Sequence, residues 1–509
     1  MEAIALNQGF KHKKQRVYAL CIHPLFFMFL FFQCQGVAAQ YFEFNETLQK
    51  AYGNILCLHY DKSQAFINAQ LKVTPKHAIA LYLKNFNEIL PVFILEDKQS
   101  YQRIASHEDE VLRALEKLPP TSPYFYFTQA EVKLHWALLK LKFGDNASAA
   151  LNVRACYKLL ETGLKKYPDF VPMLKTMAVL KIVIGSIPES YTWITSVAGL
   201  YGDLNKGIQQ LSSIAHGNTI YNREAKLWLL LCEHYLLGNN VHSNLIAELR
   251  KQDPHNILYL FIDVSLKVHD AHSEEALIYY QNKTVNSEAY QLIPSFYYML
   301  GEVNLHKGLY QESIAAFNLY IQAYKGQAYI KDTYYKIFIA YWLLGNEPQA
   351  KKHKSLVLTK GVARNDSDKQ ALKMVKAAHF PAKDIYKIRL MTDGGYLTEA
   401  IALVNKLNQQ QFNNASDRIE FQYRKARLFH KSGDVEQAIL YYVQTIKENP
   451  NSKEYFIPNS CLQLGYIYRD LKQEAKATFY FKKVFEYHNY EYKQTIESKA
   501  KAGLSSLEK

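Results

Sequence analysis

Apolar residues in the C-terminal half recur three and four positions apart, in runs that each end at a glycine or a short polar turn. This is the pattern of amphipathic helices packed on one face. The clearest stretch runs from Arg418 to Phe485 and holds two copies of one helix–turn–helix design. The first is marked by Ala426, Phe429, Gly433, Ala438 and Tyr442 and closes at Pro450; the second is marked by Leu464, Gly465, Tyr468, Ala477 and Phe481. Anchors correspond at a displacement of 39 residues, Ala426 to Gly465 and Ala438 to Ala477. A small side chain lets two helices approach while an aromatic fills the space beside it, so the pattern predicts a hairpin used repeatedly.

A repeat length near 34 residues is that of tetratricopeptide repeats. With the turn glycine and the later alanine-plus-aromatic as anchors, hairpins fall near residues 224–255, 257–290, 294–327, 331–364, 381–414, 419–452 and 458–491. The anchors include Gly238, Ala276, Gly301, Gly308, Phe317, Gly345, Ala350, Gly395 and Ala400. The longer interval before the fifth hairpin predicts an extra helix or ordered loop over Val362 to Phe380, and the Lys/Glu/Ala-rich Tyr492 to Leu507 suits a capping helix. The predicted fold is all-α: a tetratricopeptide-like solenoid of helical hairpins in a right-handed superhelix.

Upstream the repeat is weaker but the period stays helical. Phe42–Tyr52, Asp61–Val73, Lys76–Leu95, Tyr124–Lys142, Val153–Lys166, Val171–Ile184 and Asn205–Leu211 read as helices. Pro119-Pro120-Thr121-Ser122-Pro123 breaks the chain and offers a helix N-cap. Gly199, Gly202 and Gly207 predict a reversal with close helix contacts. The organisation expected is a leader at 1–39, N-terminal hairpins at 40–118, a divergent helical region at 119–222, repeats at 223–491 and a cap at 492–509.

The leader has the three-part build of a secretory signal: basic Lys11 to Arg16, an apolar core from Val17 to Phe32, and Val37-Ala38-Ala39. Its apolar run is too short for a stable span, so cleavage after Ala39 and export to the periplasm or medium are expected. No later apolar run approaches membrane length. At 509 residues with 49% hydrophobic and 14% aromatic residues but only 21 Gly and 15 Pro, the chain suits a solenoid growing by added units, not a disordered or linker-rich protein. The net charge of +14 is spread rather than gathered into a Lys/Arg block interleaved with aromatics, which speaks against nucleic-acid binding. Past the leader, Cys57, Cys156, Cys232 and Cys461 are widely separated and form no CxxC pair, so buried thiols are expected rather than a zinc site or a disulfide framework.

Two stretches go beyond a generic repeat. Gly185-Ser186-Ile187-Pro188-Glu189, then Trp193-Ile194, then Gly199-Leu200-Tyr201-Gly202-Asp203 with Gly207, resembles the Leu-Pro-Pro and Gly-Phe-x-Gly-Asp motifs of the eukaryotic family that includes the yeast inclusion body clearance protein. Tyr455-Phe456-Ile457-Pro458 and Lys499-Ala500-Lys501-Ala502 are similar to that family's C-terminal end. The resemblance implies a binding scaffold without catalysis. The chain departs from that family in its leader, and its frequent Asn, Lys and Tyr resemble an exported bacterial protein of the Bacteroidetes type.

No HExxH, GxSxG, phosphate-binding GxxxxGK[ST] or strand-linked GxGxxG occurs, so no catalytic set, cofactor site or metal site is predicted. Cys57-Leu58-His59-Tyr60-Asp61 reads as a helix end, and His269-Asp270-Ala271-His272 as a solvated turn. The expected partner is a protein or peptide lying along the groove of the repeats. In a tetratricopeptide hairpin the second, fifth, ninth and twelfth residues of the first helix share the inward face. That frame selects Tyr298, Glu302, Tyr335, Trp342, Tyr423, Arg427, His430, Tyr466 and Arg469. Aromatic and Arg side chains dominate interface energetics, though the same aromatics serve equally to fill contacts between neighbouring helices. The other functional class left open is a cell-envelope enzyme or enzyme accessory with its site within residues 40–220.

Overall fold

A computed structural model describes residues 41–186, 199–237, 244–377, 380–448, 454–505 and 507. The leader, the Ile187–Ala198 part of the resemblance motif, Gly238 and Pro450 lie outside these residues. The described residues are helices, turns and connections with no strand, so the all-α, tetratricopeptide-like expectation holds. The chain divides into two compact units, Met1–Leu258 and Tyr259–Lys509.

The first unit contains α1 (Glu46–Leu56), α2 (Tyr60–Val73), α3 (Ala78–Leu95), α4 (Lys98–Ile104), α5 (His107–Glu116), α6 (Pro123–Phe143), α7 (Asn146–Lys166), α8 (Val171–Gly185), α9 (Leu204–His216), α10 (Asn222–Leu231) and α11 (Asn244–Gln252). Its centre is α6. Ser122 caps this helix by accepting the Tyr124 N–H, Pro123 occupies the first turn where a missing N–H costs nothing, and Gly144 closes it at φ 87°. Apolar side chains emerge all round α6, which therefore has core on two sides: Tyr126, Phe127 and Ala130 pack with α1, α2 and α8, whereas Val132, Trp136 and Leu139 pack with α3, α4 and α5. The proline-rich break at 119–123 thus opens the central helix of this unit.

Three departures from the sequence reading have local causes. Residues 98–116 form two short helices that the pattern did not separate; Glu108 on the second accepts from Lys133, Lys140 and Asn152 and so ties it to α6 and α7. Helix α7 begins at Asn146 rather than Val153, because Asp145 caps it through the Ser148 N–H. Helix α3 does have the length and apolarity of a membrane span, at 18 residues and a mean hydropathy of 1.4, contrary to expectation. Half of it is buried in this unit, and Asn85 and Asn87 make internal hydrogen bonds. Two of the three expected glycine contacts are present: a Cβ on Gly202 would lie 2.2 Å from the Gly185 nitrogen, and one on Gly207 would lie 2.6 Å from Ile182 Cγ1, whereas Gly199 has nothing within 4 Å and serves a turn at φ 69°.

The second unit contains α12 (Ile257–His269), α13 (Ser273–Gln281), α14 (Ser287–Leu292), α15 (Ser295–Lys307), α16 (Tyr310–Ala323), α17 (Ile330–Leu343), α18 (Glu347–Thr359), α19 (Asp366–Lys376), α20 (Lys383–Gly394), α21 (Leu397–Val404), α22 (Ala415–Lys431), α23 (Val435–Glu448), α24 (Phe456–Asp470), α25 (Glu474–Lys483) and α26 (Lys493–Ser505). Helix pairs occupy the predicted hairpins from 257–290 to 458–491, and helices fall within the predicted 362–380 and 492–507, while the turn of the predicted 224–255 hairpin lies outside the described residues. The small-residue and aromatic pairing is literal: a Cβ on Gly301 would meet the Phe317 ring at 2.5 Å, and one on Gly465 the Phe481 ring at 2.4 Å. The extra helix α19 packs on α17, and α20 then returns to pack directly on α15. A Cβ on Gly394 would come within 2.4 Å of His306 Cβ, and Tyr396 donates to Glu274 at 3.0 Å.

Candidate functional site

Five first helices of the second unit end in the same left-handed turn, at Gly308, Gly345, Gly395, Gly433 and Lys472, with φ between 57° and 85°. These turns give a register set by backbone geometry. Ten residues before each turn stand Tyr298, Tyr335, Ile385, Tyr423 and Leu462, all buried. Six residues before stand Glu302, Ile339, Arg389, Arg427 and Tyr466, and all but Ile339 keep solvent contact.

The nine residues selected from sequence therefore separate into two groups. Tyr298, Tyr335 and Tyr423 are 9%, 7% and 3% exposed and present no ring surface to a groove. The helix of the neighbouring hairpin covers them, and their hydroxyls bond internally: Tyr298 donates to Asp332 Oδ2 at 2.5 Å, Tyr335 pairs with the Tyr386 hydroxyl at 3.0 Å, and Tyr423 accepts from Asn459 Nδ2 at 2.6 Å. Trp342 is half-buried, edge-on to Phe380 and Tyr386. Glu302, Arg427, His430, Tyr466 and Arg469 are partly accessible. Arg469 lies over the Tyr466 ring and bonds Asp470, while His430 Nδ1 faces the Tyr442 hydroxyl at 3.3 Å.

The sequence frame missed the charged residues between these positions. Lys336 on α17 reaches Glu302 Oε1 and Asp332 Oδ2, each at 2.6 Å, with the Tyr298 ring 4.5 Å away. Desolvation opposes its charge, but Asp332 and Glu302 outweigh this and hold its pKa above the ordinary lysine value. On α20, Arg389 Nε stands 3.6 Å from Asp393 Oδ2. On α22, Arg424 donates to Glu420 at 2.7 Å and 3.0 Å and reaches the Tyr455 hydroxyl at 3.4 Å. Desolvation is the largest influence on both Arg389 and Asp393, yet their side chains are 33% and 46% exposed. Asp393 is held below the ordinary carboxylate value because the charges of Arg389 and Arg424, with Lys431, outweigh its desolvation. His306 is kept neutral by burial, with Nδ1 3.1 Å from Ser273 Oγ.

The first unit holds a different arrangement. Lys175, 2% exposed, donates to Glu224 at 2.7 Å and lies 3.7 Å from Glu131. Glu224 also accepts from Tyr52 at 2.5 Å and Trp228 at 3.1 Å; Glu131 accepts from Thr176 and lies 3.7 Å from His135. Burial raises the Glu131 pKa, whereas Lys175 outweighs desolvation at Glu224 and lowers it. A cleft of about 550 Å³ borders Tyr52, but the carboxylates behind it are shielded and already bonded. The Cys57 thiol faces Asp253 Oδ2 at 3.4 Å and is pushed up to about 11 by burial and then by Asp253, so it is a protonated packing group. Cys156, Cys232 and Cys461 are buried free thiols, as expected.

Comparison with known proteins agrees with this register. The tetratricopeptide repeat model matches residues 419–452 and 458–487, the last two hairpins. No curated protein matches the chain. A solved structure, the crystal structure of the APC/C hetero-tetramer Cut9-Hcn1, is similar at 14% identity over 90% of this chain and 95% of that one, with a TM-score of 0.21. The chain carries tetratricopeptide repeats, an architecture that serves protein–protein interaction.

Proposed function

We propose that the protein is an exported, non-catalytic scaffold that binds a polypeptide partner along the accessible first-helix row of its second unit. The carrying observation is the register six residues before the left-handed turns, which places Glu302, Arg389, Arg427 and Tyr466 at solvent while the row four residues earlier is core. Partly buried Arg and Tyr are the side chains from which interface hot spots are built. The alternative of an enzyme site within residues 40–220 is not favoured, because Lys175, Glu131 and Glu224 saturate one another away from solvent.

A photo-crosslinking amino acid placed singly at 302, 427 or 466 tests this, with Leu319, Leu358 and Leu440 on the second helices as outer controls. Incubation with extract and culture fluid of the producing cells should yield polypeptide adducts from the inner positions only. Adducts from outer positions alone, or from both sets equally, would refute the reading. Export rests on the three-part leader at 1–39; N-terminal sequencing of the fractionated protein should begin at Gln40, and an intact leader in the membrane pellet would disprove it.

A further inference from the structure

Helix α1 of the first unit carries Gly53 in its interior, where glycine is a poorer helix former than alanine and needs a local reason. Everywhere else inside the described helices that reason is a close neighbour. The nearest atom would lie 2.4 to 2.8 Å from an added Cβ, as with Phe317 at Gly301, Phe481 at Gly465, Met173 at Gly163 and Ile182 at Gly207. Gly53 has no atom within 4 Å of that position. Its backbone is bared instead to the cleft of about 550 Å³ that borders Tyr52. The buried side chains of Tyr52 and Leu56 line this cleft from α1, and Ile220, 40% exposed, lines it from the turn before α10. A glycine kept where nothing in its own chain approaches is placed for something else to approach.

Charge adds a second demand. Glu46 and Lys50 border the cleft and pair with each other at 2.7 Å. Arg223, exposed at the start of α10, also borders it, and among the described residues its guanidinium has no ion pair or hydrogen bond. Its charge is felt by the Cys57 thiol. Asp253, which also acts on Cys57, is bonded to that thiol and to Asn256 instead.

We propose that this cleft is a second docking site, in which an aromatic side chain of a polypeptide partner lies on the bared backbone at Gly53 and an acidic residue beside it reaches Arg223. The chain itself sets the chemistry of the first contact, since rings occupy its glycines at 301 and 465. With Glu46 and Lys50 cancelling, one cation remains to be met, and a guanidinium matches a carboxylate. A cleft of this volume admits a ring and the backbone that carries it, and an aromatic anchor set in a pocket concentrates interface energy. The site belongs to the first unit and stands or falls independently of the inner row of the second.

The test selects short random peptides, displayed on phage, against the purified full chain, with counter-selection on Gly53→Leu, which fills the cleft. The leucine side chain enters open space, so this variant should fold with Tm unchanged or raised. Recovered peptides should share a Phe, Tyr or Trp close to an Asp or Glu. One of them, labelled, N-acetylated and C-amidated, is then titrated by fluorescence anisotropy. Gly53→Ala should raise Tm, because alanine is the better helix former, yet weaken binding on the order of tenfold. Arg223→Gln should weaken it several-fold with Tm unchanged, and Lys62→Gln, which removes an exposed charge from α2, should bind like wild type. The assignment is overturned if no peptide separates wild type from Gly53→Leu, if the recovered peptides lack an aromatic, or if Arg223→Gln binds unchanged. A lowered Tm in Gly53→Ala would make the glycine a structural requirement and overturn it as well. So would self-association in sedimentation that Gly53→Leu abolishes, since the occupant would then be a second copy of this chain.

Discussion

The two units each gather charged side chains between helices, and the two arrangements have opposite character. In the first, Lys175 lies between Glu131 and Glu224, and Tyr52, Trp228 and Thr176 take up further carboxylate lone pairs. In the second, Arg389 and Asp393 stand 3.6 Å apart with side chains 33% and 46% exposed. Buried charges persist only when paired and hydrogen-bonded, so a closed network marks structure. A pair that water reaches carries no such structural demand, and the scaffold reading proposed above draws its binding row from the second unit.

The largest expected effect breaks the closed network. Lys175→Met leaves two buried carboxylates facing each other without their cation, and such losses cost about 3–5 kcal/mol. Urea unfolding followed by circular dichroism should show it. A loss near zero would mean that water reaches the cluster and that the contrast between the units is false.

Acid provides the next effect, through two buried imidazoles of the first unit. Desolvation pushes His135 down to about 3 and His77 down to about 4 from the ordinary value of 6.5. His77 must remain neutral because its Nδ1 accepts the Ala80 N–H that caps α3. Both folded-state values lie below the unfolded one, so the unfolded chain binds protons first as pH falls. Their contribution is complete above about pH 6.5 and is lost progressively toward pH 4, by about 1.4 kcal/mol per pH unit for each group. Urea midpoints taken between pH 7 and 5 should fall steeply, and His135→Gln should flatten the slope.

A smaller effect tests the repeat signature. Gly301→Ala places a methyl where the Phe317 ring lies 2.5 Å away, and overpacking of this kind costs about 1 kcal/mol or slightly more. Thermal unfolding should shift down by a few degrees. The smallest effect belongs to Arg389, whose side chain is 33% exposed: Arg389→Gln should change stability by no more than about 0.5 kcal/mol. A large destabilisation there would make Arg389 a structural group and collapse the distinction between the units.

The hairpins of the second unit were legible in the sequence because each depends on neighbours within one turn or one repeat. A residue at positive φ ends the first helix, a glycine at 308, 345, 395 and 433 and Lys472 in the last hairpin, and a small residue opposite an aromatic brings the second helix close; both leave marks at fixed spacing. The pattern over 419–452 and 458–491 was readable for that reason. The site was legible only in part. Tyr298, Tyr335 and Tyr423 fall on the inward frame but sit ten residues before the turn, where the next hairpin covers them, and a sequence frame does not register that coverage.

What only the tertiary structure decided are the contacts between residues far apart in the chain. Nothing near Lys175 announces Glu131 or Glu224, and nothing near Arg389 announces Arg424 or Tyr492, because each is brought in by a different helix. Helix α20 returns onto α15 past the inserted α19, and no local periodicity encodes that turn. Short-range order is set by backbone sterics and the helical period, which a sequence displays directly. The charged pairs of the second unit and the closed network of the first depend on which helix faces meet, and only the packing of each unit settles that.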